Sequence, residues 1–243
     1  MIKPYQNPDD KKNQVRNMFD RIAWRYDFLN HFLSVGIDRQ WRKQLVSMIA
    51  RKQGGKGSHV LDLATGTGDL VKQIGQLNPE WIIGGDISPV MLQVAENKIK
   101  DWKLTASVDF QVMDGERLPF EDGCFDIVTI AFGIRNFDDI DKGLGEIYRV
   151  LKNGGRVYVL EFSRSDHKWF RMIFEWYFSK VLPCIGGLFS RHKEAYKYLP
   201  RSVIAFPSKK EFIQKLNDHG FINIESKVLT LGIVGLFSGE KDI

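Results

Sequence analysis

The stretch His59-Val-Leu-Asp-Leu-Ala-Thr65-Gly66-Thr67-Gly68-Asp69 limits what this chain can fold into more than any other. An apolar run feeds a Gly66-x-Gly68 turn, and Asp86 follows at the end of a second apolar run that begins at Trp81. A strand, a glycine turn, a helix and a strand ending in an acid make half of a nucleoside-binding α/β unit. The glycines let backbone approach a ligand closely, and Thr65, Thr67 and Ile87 are expected among the residues that contact it. The acid accepts hydrogen bonds from ribose hydroxyls. A dinucleotide fingerprint wants a third glycine at position 71, which is Val71. Asp69 stands where a pyrophosphate needs backbone donors and no negative charge. A carboxylate there suits a cationic ligand. S-adenosylmethionine has a sulfonium, an amino group and a ribose, and no phosphate, so the pattern reads as a pocket for it. A glycine turn alone is often a packing device; the acids Asp62, Asp69 and Asp86 at these spacings carry the reading.

The totals bound the partners. The 243 residues suit one domain with additions. A net charge of +5 is either an ordinary solvated surface or an attraction to anionic lipid or an acidic partner. No lysine-rich or arginine-rich block argues for nucleic acid. Cys124 and Cys184 lie far apart and form no CxxC, which implies a reducing compartment and no structural zinc. His59, His167, His192 and His219 show no ligand spacing, so no metal is expected. The first residues are polar and lack a signal peptide's apolar core, and no run is long enough to span a bilayer. The expected location is cytoplasmic, peripheral at the inner membrane face if a lipid partner is met.

Along the chain, Val15, Met18, Phe19, Ile22 and Tyr26 mark an amphipathic helix over 13–27, and a second helix is expected over 39–51. These form an N-terminal helical cap, 1–57. The cofactor core, 58–163, alternates strands at 59–64, 81–86, 108–113, 126–132 and 156–162 with helices, which predicts a mostly parallel sheet covered on both faces. Ser88 and Pro89 open one helix, and another covers 139–151 before the Asn153-Gly-Gly155 turn. Residues 164–207 break the alternation as a helical insertion for the substrate. Lys168, Arg171, Glu175 and Ser179 make a narrow polar stripe on an aromatic helix there, which is either core, a homodimer interface or a lipid-facing groove. Ser208-x-x-Glu211 is a capping box, and strands at 221–230 and 231–239 close a single domain.

Three segments outside the glycine turn carry a family resemblance. They are Tyr26-Asp-Phe-Leu-Asn30-His31 through Trp41, Ala131-Phe-Gly-Ile-Arg135-Asn136-Phe137, and Arg149-Val-Leu-Lys152 through Glu161-Phe-Ser163. Together they resemble the menaquinone/ubiquinone biosynthesis C-methyltransferases over nearly the whole chain. The resemblance implies the class I methyltransferase fold, a Rossmann-like seven-stranded sheet of order 3-2-1-4-5-7-6 with the last strand antiparallel. It carries cofactor contacts onto Thr67, Asp86, Asp114 and Gly115. Asp114-Gly115 stands where the family often has Asn-Ala, and a carboxylate still accepts from an adenine amino group. Ala131 stands where the family often has serine and offers no hydroxyl.

The reaction this implies moves a methyl from sulfur to a ring carbon of a polyprenylated naphthoquinol, turning demethylmenaquinol into menaquinol. An aromatic carbon is a poor nucleophile until a ring hydroxyl ionises. Arg135 can stabilise the quinolate and Asn136 can orient a ring oxygen. Arg135 could equally be a structural arginine paired with an acid such as Asp138. His31 is the candidate proton acceptor, or else fixes a turn. Tyr26, Asn30, Tyr196 and Tyr198 are candidates for the ring pocket, and Asp27 and Asp38 for helix caps or substrate contacts. The competing readings are a benzoquinol or other small-molecule methyltransferase, and a module that only senses S-adenosylmethionine.

Overall fold

The computed structural model describes residues 2–5, 10–34, 36–163 and 193–242, apart from the side chains of 25, 28–33 and 193–197. Helices α1 (Lys11–Leu33) and α2 (Ile37–Lys52) precede an alternating core. That core runs β1 (His59–Leu63), α3 (Asp69–Ile74), β2 (Trp81–Asp86), α4 (Pro89–Ile99), β3 (Ser107–Val112), β4 (Phe125–Ala131), α5 (Ile140–Val150) and β5 (Leu151–Phe162). Helices α6 (Lys193–Ala205) and α7 (Lys209–Asp218) and strands β6 (Phe221–Leu229) and β7 (Val234–Lys241) complete it. The strands form one sheet in the order β3-β2-β1-β4-β5-β7-β6. Strands β1 to β5 are parallel, and β7 is antiparallel to both β5 and β6. This is the class I methyltransferase topology.

Alternation along each strand sorts the core into two layers, because successive side chains leave opposite faces. Leu61, Ile83, Val128 and Val157 face α5 and α7, where Leu144, Ile147, Phe212 and Leu216 are buried. Val60, Ile82, Ile127 and Tyr158 face α2 and α3, meeting Leu45, Ile49, Val71 and Ile74. Burying one such side chain is worth roughly 1.5–3 kcal/mol, so two covered faces fix register strongly. Capping sets the helix starts. The Ser88 hydroxyl accepts from Met91 N, the Asp139 carboxylate from Asp141 N and Lys142 N, and Ser208 and Glu211 form the expected reciprocal box.

Several boundaries differ from the sequence reading. Helix α1 reaches Leu33 rather than residue 27. Strand β5 begins at Leu151, since the Asn153-Gly-Gly155 segment is a bulge within the pairing with β4 rather than a turn before it. Gly154 takes φ +75° there, a conformation that glycine adopts without steric penalty. The last strand starts at Val234 instead of 231, after a turn in which Thr230 and Leu231 both have positive φ. The aromatic helix expected around 168–182 lies outside the described residues.

The order matters for function. Strand β1 pairs β2 on one side and β4 on the other. The chain therefore reverses its direction of progress across the sheet beside β1. Open α/β sheets bind ligands in the crevice at the carboxyl ends of the strands flanking such a point.

Candidate active site

Three loops at the carboxyl ends of β1, β2 and β3 meet in that crevice. Below them Asp62, buried in β1, accepts from Thr65 Oγ1 at 2.7 Å and Thr129 Oγ1 at 2.6 Å. This ties the glycine turn to β4. Burial pushes the Asp62 carboxyl up to about 6, against the two threonine hydrogen bonds. Gly66 and Gly68 both adopt left-handed backbone. A side chain on Gly68 would strike Trp102 at 2.9 Å, so its role is packing; a Cβ on Gly66 would meet only the edge of the Tyr26 ring, at 3.9 Å.

Asp86 ends β2 and is 8 % exposed. Its carboxylate accepts from Gly66 N at 2.9 Å and Ser88 N at 2.8 Å. Burial pushes it up to about 6, opposed by the amides of Ser88, Gly66 and Ile87. The folded chain thus keeps the Asp62 and Asp86 protons to higher pH than an unfolded chain, whose aspartates titrate near 4. Their burial lowers stability progressively as pH rises from about 4 to about 6. Asp114 follows β3; it accepts from Glu116 N at 3.0 Å and from Lys12 Nζ at 2.5 Å.

Helix α1 crosses all three loops. Lys12 pairs with Asp114, Asp20 accepts from Ser88 Oγ at 2.6 Å, and Asp27 accepts from Thr67 Oγ1 and from Lys98 Nζ at 2.7 Å. Its apolar stripe presents Val15, Phe19 and Tyr26 to one cavity, whose other walls include Met91, Met113, Ala131, Phe132, Asn136 and Phe137. Asp86, Asp114 and Glu116 line it too, with Lys12 as the cation. An acid-rich rim around an apolar floor repels phosphate and suits a nucleoside with donor hydroxyls and amines.

Of the expected cofactor residues, Gly66, Asp86, Ile87, Asp114, Gly115 and Ala131 line this cavity. Thr65 and Thr67 are buried behind it, held by Asp62 and Asp27. Asp69, expected to favour a cationic ligand, does not line this cavity. Its carboxylate meets Lys98 Nζ at 2.6 Å and lies 3.9 Å from Arg42, so its charge is answered within the protein. Asp27 and Asp38 are not caps: Asp27 lies inside α1, and Asp38, after the N-cap Gly36, accepts from Ser34 and Arg42.

Arg135 and Asn136 sit on a short 3-10 turn, Ile134–Asn136, just after β4. The turn divides two cavities. Asn136 lines the first, Arg135 lines a second, and Phe137 borders both. Tyr198, Asp138, Ser202 and Lys11 also line the second. The guanidinium is nearly buried and does not pair with Asp138. Its Nη1 donates to Glu161 Oε1 at 2.7 Å and to the Phe132 carbonyl at 2.5 Å. Arg135 Nε and the Tyr198 hydroxyl are buried without a hydrogen-bond partner among the described residues. Burial pushes Tyr198 up to about 12, which leaves its hydroxyl protonated as a donor. The structure brings Tyr26 to the first cavity and Arg135 with Tyr198 to the second; the side chains of Asn30, His31 and Tyr196 lie outside the described set.

Sequence reasoning missed Lys12, Phe19, Met91 and Glu161. The stripe of α1 was visible, but a stripe does not say which surface it covers. Glu161 did carry a signal, as an acid inside the apolar run Val157 to Phe162. Among the described residues no three metal-ligating side chains gather, and no helix is long and apolar enough to cross a membrane.

The chain is similar to known proteins. Residues 7–241 match the ubiE/COQ5 methyltransferase family. The chain is 47% identical over 234 residues to the ubiquinone/menaquinone biosynthesis C-methyltransferase UbiE of Geotalea daltonii, covering 96% of this chain and 98% of that one. It is 42% identical over 241 residues to the demethylmenaquinone methyltransferase of Bacteroides fragilis, covering 99% and 97%. Among solved structures, a SAM-dependent methyltransferase of Thermotoga maritima, a possible histamine N-methyltransferase, superposes with a TM-score of 0.63 at 18% identity, over 93% and 99% of the two chains. That likeness concerns the fold.

Proposed function

Because the chain belongs to the ubiE/COQ5 methyltransferase family, an S-adenosylmethionine-dependent C-methyltransferase family of quinone biosynthesis, we propose that its acceptor is demethylmenaquinol and its product menaquinol. The observation that carries this is Arg135, whose buried Nε has no partner among the described residues, lining the same cavity as Tyr198 beside the first cavity. A guanidinium and a phenol are what a ring oxygen needs as it gains charge. The two relatives named above also have menaquinone in common in their names, whereas ubiquinone occurs in one.

The cofactor supplies an electrophilic methyl. The protein's share is binding and orientation. Asp86 would accept from the ribose hydroxyls and Asp114 from the adenine amino group, with Met91, Met113 and Phe137 packing the base. Asn136 orients the acceptor from the wall of the first cavity, and Arg135 with Tyr198 stabilises its ionised oxygen. Helix α1 and Phe132 exclude water. The long isoprenoid tail calls for a meeting at the bilayer surface, which the net charge of +5 favours.

Labelled methyl transfer with naphthoquinol and benzoquinol acceptors side by side tests the assignment. Naphthoquinol should be turned over faster; exclusive use of the benzoquinol would replace the proposal. Run with quinol in anionic vesicles, the rate should fall as salt rises.

A second test concerns Asp86. Ribose hydroxyls donate more strongly to the carboxylate than to the acid, which keeps only a neutral carbonyl acceptor. Calorimetry should show cofactor affinity constant above about pH 7 and weakening below pH 6, towards about tenfold per unit. Asp86→Ala should weaken binding by about 1.5–3 kcal/mol per lost bond and flatten that pH dependence. A folded mutant with unchanged affinity would remove Asp86 from the site.

A further inference from the structure

Glu161, at the end of β5, is fully buried and lines neither cavity, yet it grips Arg135 at both ends. Its Oε1 accepts from Arg135 Nη1 at 2.7 Å, and its Oε2 from the Arg135 backbone N at 3.3 Å. Phe162 N, at 2.8 Å from Oε1, fixes the carboxylate in turn. The Arg135 guanidinium carbon lies 5.4 Å from the centre of the Phe162 ring. The pairing of β4 with β5, Ala131 opposite Leu160, places the 3-10 turn beside this acid. The guanidinium is thus clamped through Nη1 by Glu161 and the Phe132 carbonyl. Its Nε is a buried donor without a hydrogen-bond partner among the described residues.

We infer that Glu161 is the positioning residue of the transfer step: it fixes the guanidinium so that Nε addresses the acceptor oxygen, and its charge offsets that of Arg135. This rests on the proposal that Arg135 stabilises the quinolate. Two consequences separate it from a purely structural ion pair. An anion beside the guanidinium opposes ionisation of the ring hydroxyl, so removing the anion eases it. A guanidinium freed on one side also loses its fixed direction, which affects the chemical step and not cofactor binding.

The test compares Glu161→Gln, Glu161→Asp and Arg135→Ala in the full-length protein, reading the pH profile of kcat, the cofactor Kd and Tm. For Glu161→Gln the expected result is a kcat lower by about tenfold, an unchanged cofactor Kd, and an acid limb moved to lower pH. Glu161→Asp restores the charge and should restore the acid limb to its wild-type position even if kcat recovers only in part. A Glu161→Gln protein with wild-type kcat and pH profile overturns the inference. So does one that loses activity only in proportion to its folded fraction, with the acid limb unmoved. If Arg135→Ala itself keeps full turnover, the underlying role of Arg135 fails, an outcome distinct from failure at Glu161 alone.

Discussion

Arg135→Lys should lower kcat about a hundredfold while cofactor affinity stays within about twofold. Removing one preorganised donor from a developing oxyanion typically costs 10²–10³ in rate. Lysine keeps the charge but loses the planar fork. Its single nitrogen cannot hold the Nη1 position, bonded to Glu161 and the Phe132 carbonyl, and also place a donor where Nε lies. A fall in kcat and kcat/KM together marks an interaction made only in the transition state. The cofactor wall would be untouched, since Arg135 belongs to the second cavity and Asn136 to the first. The outcome that defeats this reading is a mutant with lowered Tm whose remaining folded fraction works at the normal rate. That outcome is physically real here. Glu161 is fully buried, its carboxyl pushed up by burial and drawn down by Arg135. Breaking such a pair leaves an uncompensated charge, a loss of about 3–5 kcal/mol when one partner is deleted outright. Lysine retains the charge, which is why it separates chemistry from stability better than alanine does.

How much of this was legible in the residues depends on the range of the interaction. Strands β1 and β2, the turn between β1 and α3, and the Ser88 and Ser208 caps follow from neighbours a few positions apart, and periodicity carries that information. The choice of Asp138 as a structural partner for Arg135 came from the same short range. The actual partner, Glu161, is twenty-six residues away, at the end of the adjacent parallel strand. Only the pairing of β4 with β5 brings the two together. Asp69 shows the converse. Its position in the glycine turn suggested a cationic ligand, but α4 delivers Lys98 to it across a helix packing that no local pattern encodes. The cofactor class survives because it rests on Val71, Asp86 and Asp114 as well. Helix α1 is the clearest case: its stripe predicted burial, and nothing in the stripe said that its acids and Lys12 would latch three separate loops.

With the acceptor held strictly as the oxidised quinone, methyl transfer should cease altogether. The ring carbon acquires nucleophilic character only from an ionised hydroxyl on the same ring, and the quinone has two carbonyls in place of hydroxyls. The proposed roles of the two residues lining the second cavity strengthen the distinction. Tyr198 is held protonated, and Arg135 is charged, so both favour an oxygen that carries negative charge. A quinone carbonyl would accept those hydrogen bonds too, and the ring would then become more electrophilic, the wrong polarity towards a sulfonium methyl. Binding of the oxidised form without turnover is therefore expected, and the quinone should act as a competitive inhibitor of the quinol. Anaerobic single-turnover assays, with dithionite-reduced and oxidised acceptor compared at equal concentration, measure this. Equal labelled-methyl incorporation in the two arms would mean that carbon activation does not pass through a ring hydroxyl, and the roles given to Arg135 and Tyr198 would fall with it.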